Sequence, residues 1–211
     1  MDKYKKAKQM IADCIAQLNS EGLLSAQAIV SVRIADKVLM AYQINADKFN
    51  AESIKVLDFT DNSAIAALHL AIYKKRKGAN AIISTSSPYA QCVGKAGVAI
   101  PAVLDDIAQI IGPTTKIAKS AAHKDILAAL KGRNGCIVKD GGAICIGRTP
   151  DEAYTAALVL EKGAKVFIEA SVLGTVKGIA YLEAALMHFI YKKKYSQADQ
   201  TAKLADMSTE G

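Results

Sequence analysis

Four hydroxyls stand in a row at Ser84-Thr85-Ser86-Ser87, directly before Pro88. Such a run can do two things. It can offer hydroxyls and a helix N-terminus to a small anion, or it can close a strand and cap the helix that follows. Metal chemistry needs other donors. Zinc takes thiolate, neutral imidazole or carboxylate, and the chain has three histidines, His69, His123 and His188, far apart in sequence. Its four cysteines, Cys14, Cys92, Cys136 and Cys145, form no CxxC. This set does not read as a histidine-cluster or zinc-ribbon site, and no metal or other cofactor is expected. Cys136 and Cys145 bracket a predicted hairpin. With Asp140-Gly141 as its turn they would face each other, so a cross-strand disulfide stays open, although a reducing compartment disfavours it. Asp105-Asp106 resembles a carboxylate pair, but adjacent helical residues point in different directions.

The elements that must position these groups follow from periodicity. Ala7, Met10, Ile11, Cys14, Ile15 and Leu18 recur at helical spacing, which predicts a helix over 2–19 that ends near Gly22. Residues 28–34 and 38–42 alternate as strands around a short Ala35-Asp36-Lys37 link. A strand over 54–59 follows. Asp61 or Asn62 then caps a helix to about Lys77, with Ile65, Leu68, His69, Ile72 and Tyr73 inward. A buried strand over 80–84 runs into Ser87-Pro88, a helix start. Short helices are expected over 104–111 and 123–131. The runs 135–139 and 143–146 make a hairpin through Asp140-Gly141-Gly142. Thr149-Pro150-Asp151-Glu152 reads as a capping box that opens the longest helix, ending at Gly174. The last helix is expected over 178–194, before a polar tail from about residue 196. Hairpins mixed with helices point to an α/β fold, a largely antiparallel sheet covered by helices, as one domain over 1–211.

Composition bounds the function classes. The 211 residues are 51% hydrophobic and 22% charged, a globular balance. No apolar run reaches the roughly 18 residues a membrane helix needs, and the charged Met1-Asp2-Lys3-Tyr4-Lys5-Lys6 start is no signal peptide. A cytoplasmic protein is expected, with no membrane partner. The net charge is +7, but aromatics are 6% and no nucleic-acid motif is visible. The basic runs Lys74-Lys75-Arg76-Lys77 and Lys192-Lys193-Lys194 are expected at helix C-termini, where cations complement the dipole.

Three segments in order carry a family likeness. They are His69 to Arg76 with Asn80 to Ala90, then Ala129 to Asn134 with its hairpin, then Thr149 to Ala153 running on to Ala164. Together, over roughly residues 5–190, they resemble the class II aldolase/adducin family. The resemblance implies a three-layer fold. It also implies a divalent metal held by a His-x-His pair at a strand end and a third histidine from a later hairpin. In the sugar-phosphate aldolases and epimerases of the family, that metal polarises the substrate carbonyl. By this resemblance the three ligand positions are Ser84, Ser86 and Gly141. The acid/base glutamate position, four residues before His69, is Ile65. The phosphate-gripping Gly-Asn turn is replaced by Ala28-Ile29, while Ser31, Val32 and Arg33 still match its flank. His69 matches a structural helix position, a packed core histidine. His123 and His188 are expected at the surface or an interface.

Two readings follow. In the first, the protein is a degenerate, non-catalytic member, a pseudoenzyme with a lyase-like, adducin-like fold. It would act as an oligomeric binding, scaffolding or regulatory subunit. The family's ring-like tetramers imply a homo-oligomer, or a hetero-oligomer with an active relative. A small anionic ligand could still meet Thr85, Ser87 and Lys139 at the vestigial cleft of Ile65, Ser84, Ser86 and Gly141. In the second, it is an aldehyde-lyase or epimerase for a sugar phosphate with a relocated or metal-independent site. A Schiff-base lysine would then be Lys139 or Lys95, which needs desolvation.

Overall fold

The computed structural model describes residues 4–208; the side chains of 47 and of 195–208 lie outside the description. One eight-stranded sheet runs through the molecule. Its strands are β1 Ile29–Ile34, β2 Lys37–Ala41, β3 Lys55–Asp58, β4 Ala81–Thr85, β5 Ile100–Pro101, β6 Thr114–Ala118, β7 Gly135–Val138 and β8 Ala143–Gly147. They lie in the order β3-β2-β1-β4-β8-β7-β6-β5. Every pairing is antiparallel except β6 with β7, which are parallel. The helices are α1 Lys5–Ser20, α2 Ala64–Lys75, α3 Pro88–Ala96, α4 His123–Ala129, α5 Pro150–Leu173 and α6 Tyr181–Ser208.

Alternation along the strands sorts the core into two layers. Ala81 and Ile83 of β4 face one cluster with Ile11 and Leu18 of α1 and Leu160 of α5. Ile82 faces the other, with Ile72 and Tyr73 of α2 and Ile126 of α4. The sheet is thus sandwiched between helices, as the three-layer expectation holds. All four residues of β7 and all five of β8 are buried. That explains why 135–138 and 143–147 read as continuous apolar runs.

Several boundaries and placements differ from expectation. Ile65 is 37% exposed, on the outer rim of α2 rather than inward. Residues 107–111 form a π-helical turn, with Gly112 N–H donating to the Ile107 carbonyl. Gly163 of α5 makes room for that turn, since a Cβ there would overlap the Ile107 side chain. Strands β5 and β6 were not expected. β5 is only the pair Ile100–Pro101, and β6, Thr-Thr-Lys-Ile-Ala, alternates too weakly to read as a strand; α4 carries the chain back from β6 to lay β7 parallel beside it. The capping box closes one residue early: Thr149 Oγ1 accepts from Glu152 N–H, while the Glu152 carboxylate accepts from Arg148 N–H at 2.9 Å. α6 continues to Ser208, because no glycine or proline interrupts residues 181–208. The run Lys192–Lys194 is therefore mid-helix and not at a C-terminus. The tail expected from about 196 is helical in its backbone, and its side chains lie outside the described residues.

The hairpin register also decides the cysteine question. Cys145 pairs with Gly135 and Cys136 with Ile144, so the two thiols stand on opposite faces of the sheet. Cys136 packs into one core cluster and Cys145 into the other. No cross-strand disulfide can join them, and all four cysteines are free. Among the described residues no helix is long and apolar enough to cross a membrane.

The β7–β8 turn closes against the end of β4 with no space to spare. A Cβ on Gly142 would overlap the Thr85 carbonyl and lie 2.8 Å from Ser86 Cα, whereas one on Gly141 would meet only Val138, at 3.1 Å from its Cβ. Gly142→Ala is therefore expected to cost about 2–3 kcal/mol in urea unfolding, and Gly141→Ala less than about 1 kcal/mol. Equal tolerance of the two changes would contradict this packing.

Candidate functional site

The end of β4 gathers the residues singled out in the sequence. Ser84 lies between Ile29 of β1 and Ile144 of β8 in register. Ser86 follows two residues on, beside the Gly141-Gly142 turn. Ile65 sits one helical turn from His69 on α2, and His69 reaches Ser84. Ser84, Ser86 and Gly141 thus share one end of the sheet, with Ile65 at its rim.

His69 is the organising side chain. It is fully buried. Its Nδ1 lies 2.7 Å from Ser31 Oγ and its Nε2 lies 2.8 Å from Ser84 Oγ. Ser31 Oγ is in turn 2.9 Å from the Tyr73 hydroxyl, which also donates to the Ser31 carbonyl. Burial drives the imidazole pKa down to about 3 and that of the Tyr73 phenol up. The ring is neutral, with one nitrogen donating and the other accepting. Ser84 and His69 have the spacing of a nucleophile and its base. A base must accept the proton, however, and a sealed imidazole resists the charge. The pair is built for cohesion rather than proton transfer.

The other hydroxyls of the run are engaged. Thr85 Oγ1 donates to the Leu23 carbonyl across the opposite face of the sheet. Ser87 caps α3 by position, but its hydroxyl donates to Glu161 Oε2 at 2.6 Å. The Glu161 carboxylate also accepts from Tyr89 N–H at 2.7 Å and Ala90 N–H at 2.9 Å. A carboxylate from α5 thus replaces the local cap of α3 and satisfies its orphan donors. Glu161 is 8% exposed, and sequence reasoning passed over it. The available signal was a charge on the apolar stripe of α5, between Ala157 and Ala164.

Lys139 and Lys95 are exposed, whereas a Schiff-base lysine sits in a desolvated pocket. His123 is exposed at the start of α4. His188 is buried, contrary to expectation, with Nδ1 2.6 Å from the Gln109 carbonyl. The π-helical turn receives α6 there, and burial lowers the His188 pKa. Burial pushes the Cys14 and Cys136 thiols up to about 12, so they stay protonated. Among the described residues no three His, Cys, Asp or Glu side chains come together as a metal set.

Comparison with known proteins follows the same lines. Residues 9–168 match the family model described as Class II Aldolase and Adducin N-terminal domain. A 5-deoxy-D-ribulose 1-phosphate aldolase of Bacillus thuringiensis serovar kurstaki is 30% identical over 116 residues, which is 52% of this chain and 54% of that protein. The chain thus matches about half the length of that relative. An L-fuculose 1-phosphate aldolase structure superposes with a TM-score of 0.83 at 20% identity, over 89% of this chain and 97% of the other. The L-fuculose-1-phosphate aldolase of Thermus thermophilus gives 0.71 at 16% identity, over 80% and 97%. Both structures share the fold.

The buried imidazole makes stability depend on pH with a definite sign. Unfolded histidine titrates near 6.5, whereas folded His69 does so at about 3. Between these values the unfolded chain binds a proton the folded one refuses. Stability is full above about pH 6.5 and falls on acidification, by up to about 1.4 kcal/mol per pH unit for this group. His188 adds in the same direction. Urea midpoints measured from pH 7 to 4 should fall less steeply in His69→Asn than in the parent protein. Parallel curves would refute the buried neutral imidazole.

Proposed function

The chain belongs to the class II aldolase and adducin family, and we propose that within it this protein is a non-catalytic, oligomeric subunit for binding or scaffolding. One observation carries this reading: the donor set at the end of β4. Ser84, Ser86 and Gly141 stand where the resemblance puts metal-binding imidazoles, and Ile65 stands where it puts the acid/base glutamate. Two hydroxyls and a glycine do not fit a zinc-type ion, which wants deprotonated or neutral strong donors. The one imidazole in the neighbourhood is held by two serines and sealed from solvent. Its remaining capacity for a ligand is nil, because both ring nitrogens are taken.

The oligomeric part of the reading is supported by exposed apolar side chains where α5 ends and α6 begins. Leu173 is 90%, Val172 83%, Leu182 82% and Phe189 64% exposed. Concentrated apolar exposure of this kind marks contact surfaces. The tetramer implied by the family resemblance, as a homo-oligomer or with an active relative, is the assembly we favour.

The second reading is a sugar-phosphate aldolase or epimerase with a relocated site. It is favoured by the aldolase activity for which the Bacillus thuringiensis relative is named. Metal content after dialysis and retro-aldol turnover of phosphorylated ketoses separate the two. The first reading expects neither stoichiometric zinc, cobalt or manganese nor turnover with metal added; either result would overturn it. The combined change Ser84→His, Ser86→His and Gly141→His is expected to create metal retention in a folded protein, with a small shift of Val138, which a Cβ on Gly141 would approach to 3.1 Å. Its failure would refute the assigned positions.

Sedimentation gives a separate check of assembly. The parent protein is expected above monomer mass, and Leu182→Asp with Phe189→Asp is expected to shift it to monomer. A monomeric parent protein would remove the scaffolding part of the reading.

A further inference from the structure

At the end of the sheet opposite Ser84, a cavity of about 270 Å³ opens between the α2–β4 turn, the end of β8, the start of α5 and α6. The register fixes its place: β4 begins at Ala81 opposite Gly147, and ends at Thr85 opposite Ala143. The floor is apolar, from Ala79 and Ile146. The walls carry Arg76, Arg148, Glu152 and Lys192.

The charges in this cavity do not balance. Both oxygens of Glu152 are taken by Arg148, at 3.1 Å from Nε and 2.6 Å from Nη2, and by its backbone N–H. Arg76 Nη1 donates to the carbonyls of Leu130, at 2.5 Å, and Arg133, at 2.9 Å. Those bonds fix the guanidinium against the end of α4 but bring no full negative charge. Among the described residues Lys192 has no carboxylate partner. Its neighbour is another cation: burial first, and then the Arg76 charge, push its ammonium pKa down to about 8. Two half-buried like charges facing one apolar-floored cavity repel more than they would in water. Holding them together costs folding free energy that a bound anion would offset.

We propose that this cavity binds phosphate, as the free ion or as the end of a small phosphate monoester, gripped between Arg76 and Lys192. A dianion matches two cations, and a guanidinium already oriented by its carbonyl bonds suits oxyanion recognition. The volume lies just below the roughly 300–1,000 Å³ of common ligand pockets, a match for a small oxyanion. The site shares no residue with the Ser84 cleft, so it stands whatever the fate of catalysis there.

Titration calorimetry on the full chain tests this, with inorganic phosphate and with glycerol phosphate, at ionic strength held constant with sodium chloride. Saturable one-to-one binding is expected. Lys192→Met should weaken it about tenfold or more, the loss of one charge-assisted contact. Lys75→Met removes the same charge from an exposed position of α2 and should change affinity less than about twofold. Lys192→Arg, which keeps the charge, should retain binding and guards against a folding defect in the methionine variant. Tighter binding of glycerol phosphate identifies an ester as the occupant, and equal binding identifies the phosphate group alone; both support the site. Absence of saturable binding to either probe, or equal loss in Lys192→Met and Lys75→Met, would overturn it.

Discussion

The segment from Ser84 to Ala90 is held by two buried polar side chains, one from each face of the sheet. His69 of α2 reaches Ser84 from one side, and Glu161 of α5 reaches Ser87, Tyr89 and Ala90 from the other. A buried polar group without a partner costs about 1–3 kcal/mol, so each of these groups dictates where its partners lie. His69 also bonds Ser31 of β1, which ties α2 to two adjacent strands. Glu161 ties α3 to α5. The strand end, the helix start and the two covering layers are thus mutually located by a handful of hydrogen bonds. The apolar clusters on either face supply the bulk of the burial but not this registration.

That framework does not depend on metal donors. The end of β4, the β7–β8 turn and α2 are brought together by bonds and by the tight Gly142–Thr85 approach, not by side-chain bonds from Ser86 or Gly141. On the proposed reading, a scaffold held this way stands with Ser84, Ser86 and Gly141 in place of imidazoles. Fold and chemistry are separable here because they use different atoms. The Ser84 hydroxyl belongs to the structural network through His69.

The two ends of the sheet have diverged in character. At the Ser84 end, Ile29 and Ile144 flank a hydroxyl committed to His69. At the other end, cations collect around an apolar floor with their one carboxylate already paired. The apolar surface where α5 ends and α6 begins is a third feature, with Leu173 and Leu182 almost fully exposed. These surfaces, rather than the cleft, hold the unspent interaction capacity of the molecule.

Much was legible from the sequence. Period-2 and period-3.6 patterns placed most strands and every α-helix in order, because each element must bury its own apolar face. Residue types at 84, 86 and 141 could be read directly as weak donors for a zinc-type ion, as donor chemistry belongs to the residue itself. What the sequence could not supply were quantities set by long-range pairing. The one-residue offset of Cys136 from Cys145, the burial of His188, the carboxylate of Glu161 under α3 and the cavity of Arg76 and Lys192 each join residues far apart or on opposite strands. Local pattern encodes which face a residue presents to its own element; only packing between elements decides what that face meets.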